Sequence, residues 1–459
     1  MTGAENEAAT AAAPVGGVAD RRISITSVGA SMTAAMGDDA SGIRRARLDS
    51  GLRVVTERLP ALRSVAVGFW VGTGSRDEPD RLAGASHFLE HLLFKGTPAR
   101  RAVEIAEAVE SVGGDMNAAT GQEVTQFYVR VPDRYLPLAL EILSDIVWSP
   151  ALRPDDVESE RQVILEEIRM RDDTPDDLVH DVFANALFPR HPLGREIAGT
   201  EDTIAAMPRD DIAGYHHAHY HPQNVVVAVA GNVWHDDVVH MVEAALPSTD
   251  ARTRPARLNG ADTGEPESIA VVERPLEQAH LVLGMKALPR DDPDRYALTV
   301  LDQVLGGGMS SRLFQEIREQ RGLAYSVFSY RSAFEETGAL AIYCGTSPEH
   351  VDEVLDVVGA QLDRLVDDGG VEVGELERAK GHLTGSLSLS LESSSSRMHR
   401  IGRAELTLGE VPEIDEVVAR VEAIEADDVA RVIERVVAPR RRTLAVVGPL
   451  NGAQALHLV

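Results

Sequence analysis

Hydrophobic and polar residues recur with two different periods along most of the chain. Alternating apolar runs such as SVAVGFWVG (64–72) and TQFYVRV (125–131) predict β-strands. Segments such as AVEIAEAVESV (102–112) and LPLALEILSDIV (136–147) have helical spacing of their apolar residues. Because the helices are grouped against strands instead of alternating strictly with them, the pattern predicts an α+β fold of sheets packed with helices.

The pattern also repeats along the chain at an offset of about 217 residues. The repeat predicts two homologous α/β domains from an internal duplication, and the alternative is two unrelated domains of similar texture. The matching positions are Pro132 with Pro348, Glu160-Arg161 with Glu377-Arg378, Asp210-Asp211 with Asp427-Asp428, and Gly231 with Gly448.

Composition shifts predict the boundaries of these domains. The polar stretch 248–268 contains Pro and Gly and predicts a linker between a first domain at 42–247 and a second at 269–459. Residues 1–41 are rich in Ala, Gly, Ser and Asp and lack periodicity, which predicts a disordered N-terminal extension.

Charge and cysteine content exclude several classes of function. The 459 residues include 45 Lys and Arg against 73 Asp and Glu, a net charge of −28, which argues against nucleic-acid partners and anionic membranes. The single cysteine, Cys344, excludes an internal disulfide or a Cys-based zinc site. No apolar stretch is long enough for membrane insertion, and the N-terminus lacks the pattern of a secretory signal, so we expect a cytoplasmic protein.

The strongest chemical motif is HFLEH. His87 and His91 are four residues apart, so on a helix they project from one face and can bind one metal ion. Glu90 lies beside them and can accept a proton from water, as in the inverzincin pattern. Two histidines leave a tetrahedral site short of a ligand, which predicts a carboxylate from elsewhere. The alternative is a core helix with incidental histidines.

The segment ESERQVILEEIRMR (158–171) is the best source of that carboxylate because it is helical in pattern and offers Glu160, Glu166 and Glu167. Glu160 and Glu167 are two helical turns apart and share a face with Val163 and Ile164, so we expect this face to be buried. Two buried carboxylates need compensation, and a metal ion supplies it.

With these motifs the sequence resembles the pitrilysin family of inverzincin metallopeptidases, in the branch of the mitochondrial processing peptidase and its bacterial relatives. The resemblance covers about residues 45–450 and includes the spacing of 76 residues from His91 to Glu167. It implies one Zn²⁺ per chain on His87, His91 and Glu167, with Glu90 as general base and a supporting role for Glu160.

The resemblance also implies a peptide-binding strand. In GGDMNAATGQEVTQFYVRV (113–131), the residues Asn117, Ala118 and Thr120 match the family's edge strand beside the zinc. Such a strand binds an extended peptide by adding it to the sheet. The alternative is an ordinary turn and strand.

Two further pairs of residues are implied to contact the substrate. Arg318 and Tyr325, seven apart in the second domain, match the family's donors to the scissile carbonyl; the alternative is a solvated helix followed by a core tyrosine. Asp177 and Asp181, on the predicted continuation of the ligand helix, match an acidic pair that reads a basic residue; the alternative is a solvated acidic face. For the histidines of HHAHYH (216–221) we favour a structural role over a second metal site.

The resemblance implies a zinc endopeptidase for unfolded, possibly basic, peptides. The chain carries both a zinc domain and an Arg/Tyr domain but has half the length of the family's single-chain members, which implies a homodimer closing on a chamber. Two alternatives are a non-catalytic scaffold or partner subunit, and an active subunit that requires a separate inactive partner.

Overall fold

The computed structural model describes residues 42–247, 257 and 263–450. The predicted extension at 1–41, most of the predicted linker and the last nine residues of the predicted second domain lie outside the described residues. Within the described part, no helix is long and apolar enough to cross a membrane.

The first half contains a six-stranded sheet with β4 at one edge. The spatial order is β1-β2-β6-β3-β5-β4, and all neighbours are antiparallel except β2 and β6. Its strands are β1 (Ile43–Arg47), β2 (Arg53–Arg58), β3 (Ser64–Val71), β4 (Asp115–Thr120), β5 (Thr125–Pro132) and β6 (Val225–Gly231). Its helices are α1 (Ala85–Leu93), α2 (Ala102–Glu110), α3 (Leu136–Trp148), α4 (Pro154–Asp172), α5 (Pro175–Leu187), α6 (Glu201–Ala206), α7 (Arg209–His219) and α8 (His235–Ala244).

The second half contains a five-stranded sheet in the order β7-β11-β8-β10-β9, in which only β7 and β11 are parallel. Its strands are β7 (Ile269–Glu273), β8 (Ala279–Ala287), β9 (Ala324–Ala333), β10 (Gly338–Thr346) and β11 (Thr443–Gly448). Its helices are α9 (Arg295–Gly306), a short π-helical segment (Phe314–Gln320), α10 (Val351–Asp367), α11 (Val373–Ser390), α12 (Ser394–Thr407), α13 (Ile414–Glu422) and α14 (Ala426–Val436).

The two sheets repeat one topology. The order β2-β6-β3-β5-β4 corresponds strand for strand to β7-β11-β8-β10-β9, including the single parallel pair. Helices α7 and α14 begin and end 217 residues apart. The predicted α+β fold of two similar halves is therefore confirmed.

One helix from each half packs on the sheet of the other half. Helix α5 covers β8 and β11, and α12 covers β3 and β6. Glycines make room for both crossings: a Cβ at Gly68 of β3 would collide with Met398 of α12, and one at Gly284 of β8 would collide with Phe183 of α5. The opposite face of the first sheet packs on α1 and α3. The exchange ties the halves together by buried apolar surface.

Candidate metal centre and its surroundings

Helix α1, which carries the HFLEH motif, is fixed on its apolar face and at its N-terminus. Phe88 and Leu89 are completely buried in the core, so the polar motif residues lie on the other side. The helix begins after Gly84, whose φ of 95° is left-handed. The buried carboxylate of Glu78 accepts hydrogen bonds from the backbone N–H groups of Gly84 at 2.7 Å and Ser86 at 2.6 Å. Glu78 therefore satisfies donors that the first helical turn leaves free.

His87, His91 and Glu167 come together as the sequence predicted. One ligand atom from each lies within 4.8 Å of the others, and no other group of three or more potential ligands occurs in residues 42–247, 257 and 263–450. Glu167 Oε2 lies 3.7 Å from His87 Nε2 and 3.4 Å from His91 Nε2. Zinc bonds of about 2.0–2.2 Å put tetrahedral ligand atoms about 3.4 Å apart, so this donor set fits Zn²⁺.

The protonation states of the two histidines favour metal binding at this centre. Burial, with a smaller contribution from His91, lowers the pKa of His87 to about 4, so its ring is neutral at neutral pH. On the far side of His91, Nδ1 lies 3.1 Å from Glu160 Oε2, and Lys95 Nζ lies 2.6 Å from Glu160 Oε1. Glu160 thus holds the proton of His91 on Nδ1 and leaves Nε2 as a ligand atom.

The expectation that one face of α4 is buried throughout was wrong. Glu160 and Ile164 are buried, but Val163 is 42 % exposed and the side chain of Glu167 is 41 % exposed. Glu160 and Glu167 differ in burial because of the position of the helix. Its Glu160 end packs behind His91, whereas its Glu167 end is accessible to solvent. Glu167 therefore faces an accessible site, as a catalytic metal position requires.

Glu90 lies between the metal ligands and the edge strand. Burial raises its pKa, the nearby Thr120 of β4 and His91 oppose the rise, and the charge of Glu167 adds to it. Glu90 is not part of the three-residue ligand group, so its carboxylate is available for proton transfer.

The segment with Asn117, Ala118 and Thr120 forms the edge strand β4, which pairs only with β5 among the described strands. Ala118 is buried and Asn117 is exposed, with Asn117 Oδ1 accepting the Ala118 N–H at 2.8 Å. The strand is consistent with the predicted peptide-binding edge, whose role in substrate binding stays a prediction.

Arg318 and Tyr325 form a pair in the second half. The Arg318 guanidinium lies 4.5 Å from the centre of the Tyr325 ring and 4.8 Å from that of Phe314. Tyr325 is 80 % exposed, so it is not the core tyrosine of the alternative reading. Their action on substrate stays a prediction.

Asp177 and Asp181 do not lie on a continuation of the ligand helix, contrary to the prediction. Helix α4 ends at Asp172, and α5 begins anew at Pro175, because proline disfavours a helical conformation at the preceding Thr174. Asp181 lies 3.5 Å from Arg171, and burial raises its pKa to about 6. Asp177 is exposed.

The histidines of the 216–221 run make separate contacts within the fold. His216 Nε2 lies 2.9 Å from the Val147 carbonyl oxygen, and His219 Nδ1 lies 3.1 Å from Thr73 Oγ1. Burial lowers the pKa of His216 to about 4. These contacts support the structural role favoured for the run.

Sequence reasoning did not single out Lys95 or Glu78. Lys95 lies four residues after His91, so helical spacing could have linked it to the motif face. Glu78 gave no such signal, because its helix-capping contacts depend on the turn that precedes α1.

Comparison with known proteins identifies the family to which the chain belongs. A family model described as insulinase (peptidase family M16) matches residues 53–201, and one described as the peptidase M16 inactive domain matches residues 206–383. The fold is that of a two-domain metallopeptidase class, and the chain belongs to peptidase family M16, the pitrilysin family. Its placement in the mitochondrial processing peptidase branch stays a prediction.

Similar chains occur across bacteria. Proteins named uncharacterized zinc protease include one from Streptomyces coelicolor, 45 % identical over 422 residues that cover 91 % of this chain and 92 % of the relative. Another, from Bacillus subtilis, is 41 % identical over 388 residues, covering 84 % and 94 %. A protease structure from Helicobacter pylori has a TM-score of 0.82 at 25 % identity, covering 88 % of this chain and 99 % of that one.

A second solved structure supports the fold alone. It comes from Pseudomonas fluorescens, is described as a peptidase M16 inactive domain, and has a TM-score of 0.81 at 22 % identity, covering 89 % of this chain and 98 % of that one.

Proposed function

We propose that the protein is a zinc-dependent endopeptidase that cleaves unfolded peptides bound in extended form. The observation that carries the proposal is the cluster of His87, His91 and Glu167, with Glu90 beside it as an acidic group outside the ligand set. When bound there, zinc would polarise the scissile carbonyl and lower the pKa of the attacking water. The zinc protease names of the relatives support the same cofactor.

The chain's own residues have separate tasks in this mechanism. Glu90 accepts the proton of the attacking water and delivers it to the leaving amine. Glu160 orients His91 through Nδ1. The edge of β4, which no other described strand covers, pairs with the peptide backbone and so holds the scissile bond without requiring a particular sequence.

Arg318 and Tyr325 supply donors to the developing oxyanion. In the described part of the chain, the Arg318 guanidinium lies over the rings of Tyr325 and Phe314, and Tyr325 is open to solvent. We therefore assign them to the site of a second copy, in a homodimer that encloses a chamber with two sites. An acidic chamber wall would attract basic peptides, in keeping with the net charge of −28.

The test is a cleavage assay on an unbiased peptide mixture, with and without a chelator, together with the mass in solution. We expect cleavage that the chelator abolishes and added Zn²⁺ restores, by a particle with the mass of two chains. A zinc-loaded protein without cleavage would instead support the non-catalytic partner subunit.

A further inference from the structure

A cavity of about 500 Å³ lies beyond the end of β4, between the two halves of the chain. One wall is the turn from β4 to β5, with Trp70 and Gln126 on the sheet. The other wall is α12 with His399 and Arg403, and Arg290 closes the end. Thr120, whose side chain lies against Glu90, also lines the cavity, so the cavity and the candidate catalytic centre flank the same end of β4 on its two sides.

This cavity is basic although the protein is strongly acidic. Arg290, Arg400 and Arg403 line it against one carboxylate, Glu123. Glu123 is already engaged by Arg290 and by the buried Arg76, which it contacts at 2.5 Å. Among the residues that line the cavity, arginines therefore outnumber carboxylates, although Glu335 also acts on Arg290 and Glu57 on Arg400.

Of the three arginines, Arg403 is the one most able to bind an anion. Its side chain is exposed and has no carboxylate within ion-pair distance among the described residues. It lies close enough to Arg290 that repulsion between the two charges helps to lower the pKa of Arg290, after the larger effect of burial. An anion between them would relieve this repulsion.

Side chains alternate between the two faces of the sheet, and this alternation determines which side chains of a bound peptide face the cavity. Phe127 and Val129 of β5 pack in the core with α1, whereas Tyr128 faces α12 and contacts His399. On β4, Ala118 shares the α1 face, so its neighbour Ala119, which lines the cavity, faces the α12 side. A peptide added along β4 continues this alternation, and every second side chain points towards the α12 side.

We propose that this cavity binds a carboxylate of the peptide substrate, either an acidic side chain or the C-terminal carboxylate. The inference rests on the proposed function for the pairing of the peptide with β4. Arg403 donates N–H groups to the carboxylate, and the nearby Arg290, which is paired with Glu123, lines the same cavity. Arginine is suited to this role because its guanidinium binds a carboxylate through two parallel N–H donors.

The test compares peptides that differ only in one carboxylate. Fluorescently labelled peptides carry Glu or Gln at successive positions, each with a free or an amidated C-terminus. Binding to the full-length Glu90→Gln protein is followed by fluorescence anisotropy, and cleavage by the wild type is measured in parallel. We expect one position, or the free C-terminus, to improve binding about fivefold and kcat/KM to a similar extent.

Variants locate the effect. Arg403→Gln should reduce the preference to near unity, and Arg403→Lys should restore part of it because the charge returns. Arg441→Gln, at an arginine that is 77 % exposed and paired with Glu265 elsewhere, serves as the matched control and should leave the preference unchanged.

The outcomes separate the two proposals. Absence of cleavage with an intact carboxylate preference in binding would reject the peptidase function and keep the cavity. Cleavage without any carboxylate preference, or a preference that survives Arg403→Gln or falls equally in Arg441→Gln, would reject the cavity. Loss of binding through amidation alone would identify the C-terminal carboxylate as the ligand, and an effect of one internal Glu would identify the side chain.

Discussion

His91 Nδ1 lies 3.1 Å from Glu160 Oε2, on the side of the ring away from the candidate metal position. The other oxygen of Glu160 lies 2.6 Å from Lys95 Nζ, so the carboxylate is held from both sides. Because Glu160 is buried, its charge is not screened by water, and it both orients the imidazole and raises its basicity as a ligand.

We expect Glu160→Gln to weaken zinc binding without removing a ligand. Loss of an outer partner of this kind typically costs about 10- to 100-fold in metal affinity. The measurement is a titration against a competing chelator. Glu158→Gln, on the exposed side of the same helix, is the control and should retain wild-type affinity. Equal affinities for Glu160→Gln and the wild type would show that the contact does not tune the metal.

Glu90→Gln should retain zinc and lose peptidase activity, because the amide cannot accept the proton of the attacking water. General-base catalysis contributes about 10²- to 10⁴-fold, so kcat should fall by that range. Zinc content by elemental analysis and an unchanged circular dichroism spectrum show that the site and fold persist. Turnover near the wild-type rate would remove Glu90 from the role of base.

Glu167→Gln should lower zinc occupancy, because the carboxylate charge that completes the donor set is lost. The neighbouring Glu166→Gln provides a matched control, since Glu166 points outward and lies 3.3 Å from Arg169. Elemental analysis after dialysis should show depletion only in Glu167→Gln. Depletion in Glu166→Gln instead would reassign the third ligand.

Local spacing in the sequence predicted that His87 and His91 share one face of a helix, which the structure brings beside Glu167. Two histidines four residues apart define one helical face, and Glu167 followed from the resemblance. The packing of α5 and α12 on the opposite sheets was not predictable in the same way, because periodicity identifies an apolar helix face but not the sheet that covers it. Pro175 could have predicted the break before α5.

The cavity beside β4 illustrates the same limit. Arg290 and Arg403 are far apart in sequence from Thr120, and the packing of α12 on the first sheet brings Arg403 to the same cavity. The charge sum pointed to an acidic molecule and concealed this basic region. The net charge affects how the protein as a whole attracts other molecules, whereas the ligand of one site depends on the charged residues that line it.

The preference for basic peptides should depend on pH if Asp177 and Asp181 bind a basic side chain of the substrate. The pKa of Asp181 is raised to about 6 by burial, so its carboxylate gains charge as pH rises through 6. The kcat/KM ratio of an Arg peptide to its Gln analogue should therefore rise about two- to fivefold from pH 5 to 7.5. Titrations of the metal centre affect both peptides and cancel in the ratio.

Asp181→Asn should flatten this pH dependence, and Asp177→Asn should lower the ratio at every pH. Asp173→Asn, at an exposed residue between α4 and α5, is the control. A ratio that is constant or falls with rising pH in the wild type would support the solvated acidic face.

Mixing two inactive variants should restore activity if Arg318 and Tyr325 act on the site of a second copy. Glu90→Gln keeps the donors, and Arg318→Ala keeps the base, so a mixed dimer contains one complete site. Random reassortment of a two-fold dimer makes about half of the particles mixed, with about a quarter of wild-type activity. Tyr325→Phe should behave like Arg318→Ala, and the solution mass should confirm a dimer in every mixture. If mass measurement shows that mixed dimers have formed but they have no activity, the donors and the base of each site lie on the same chain.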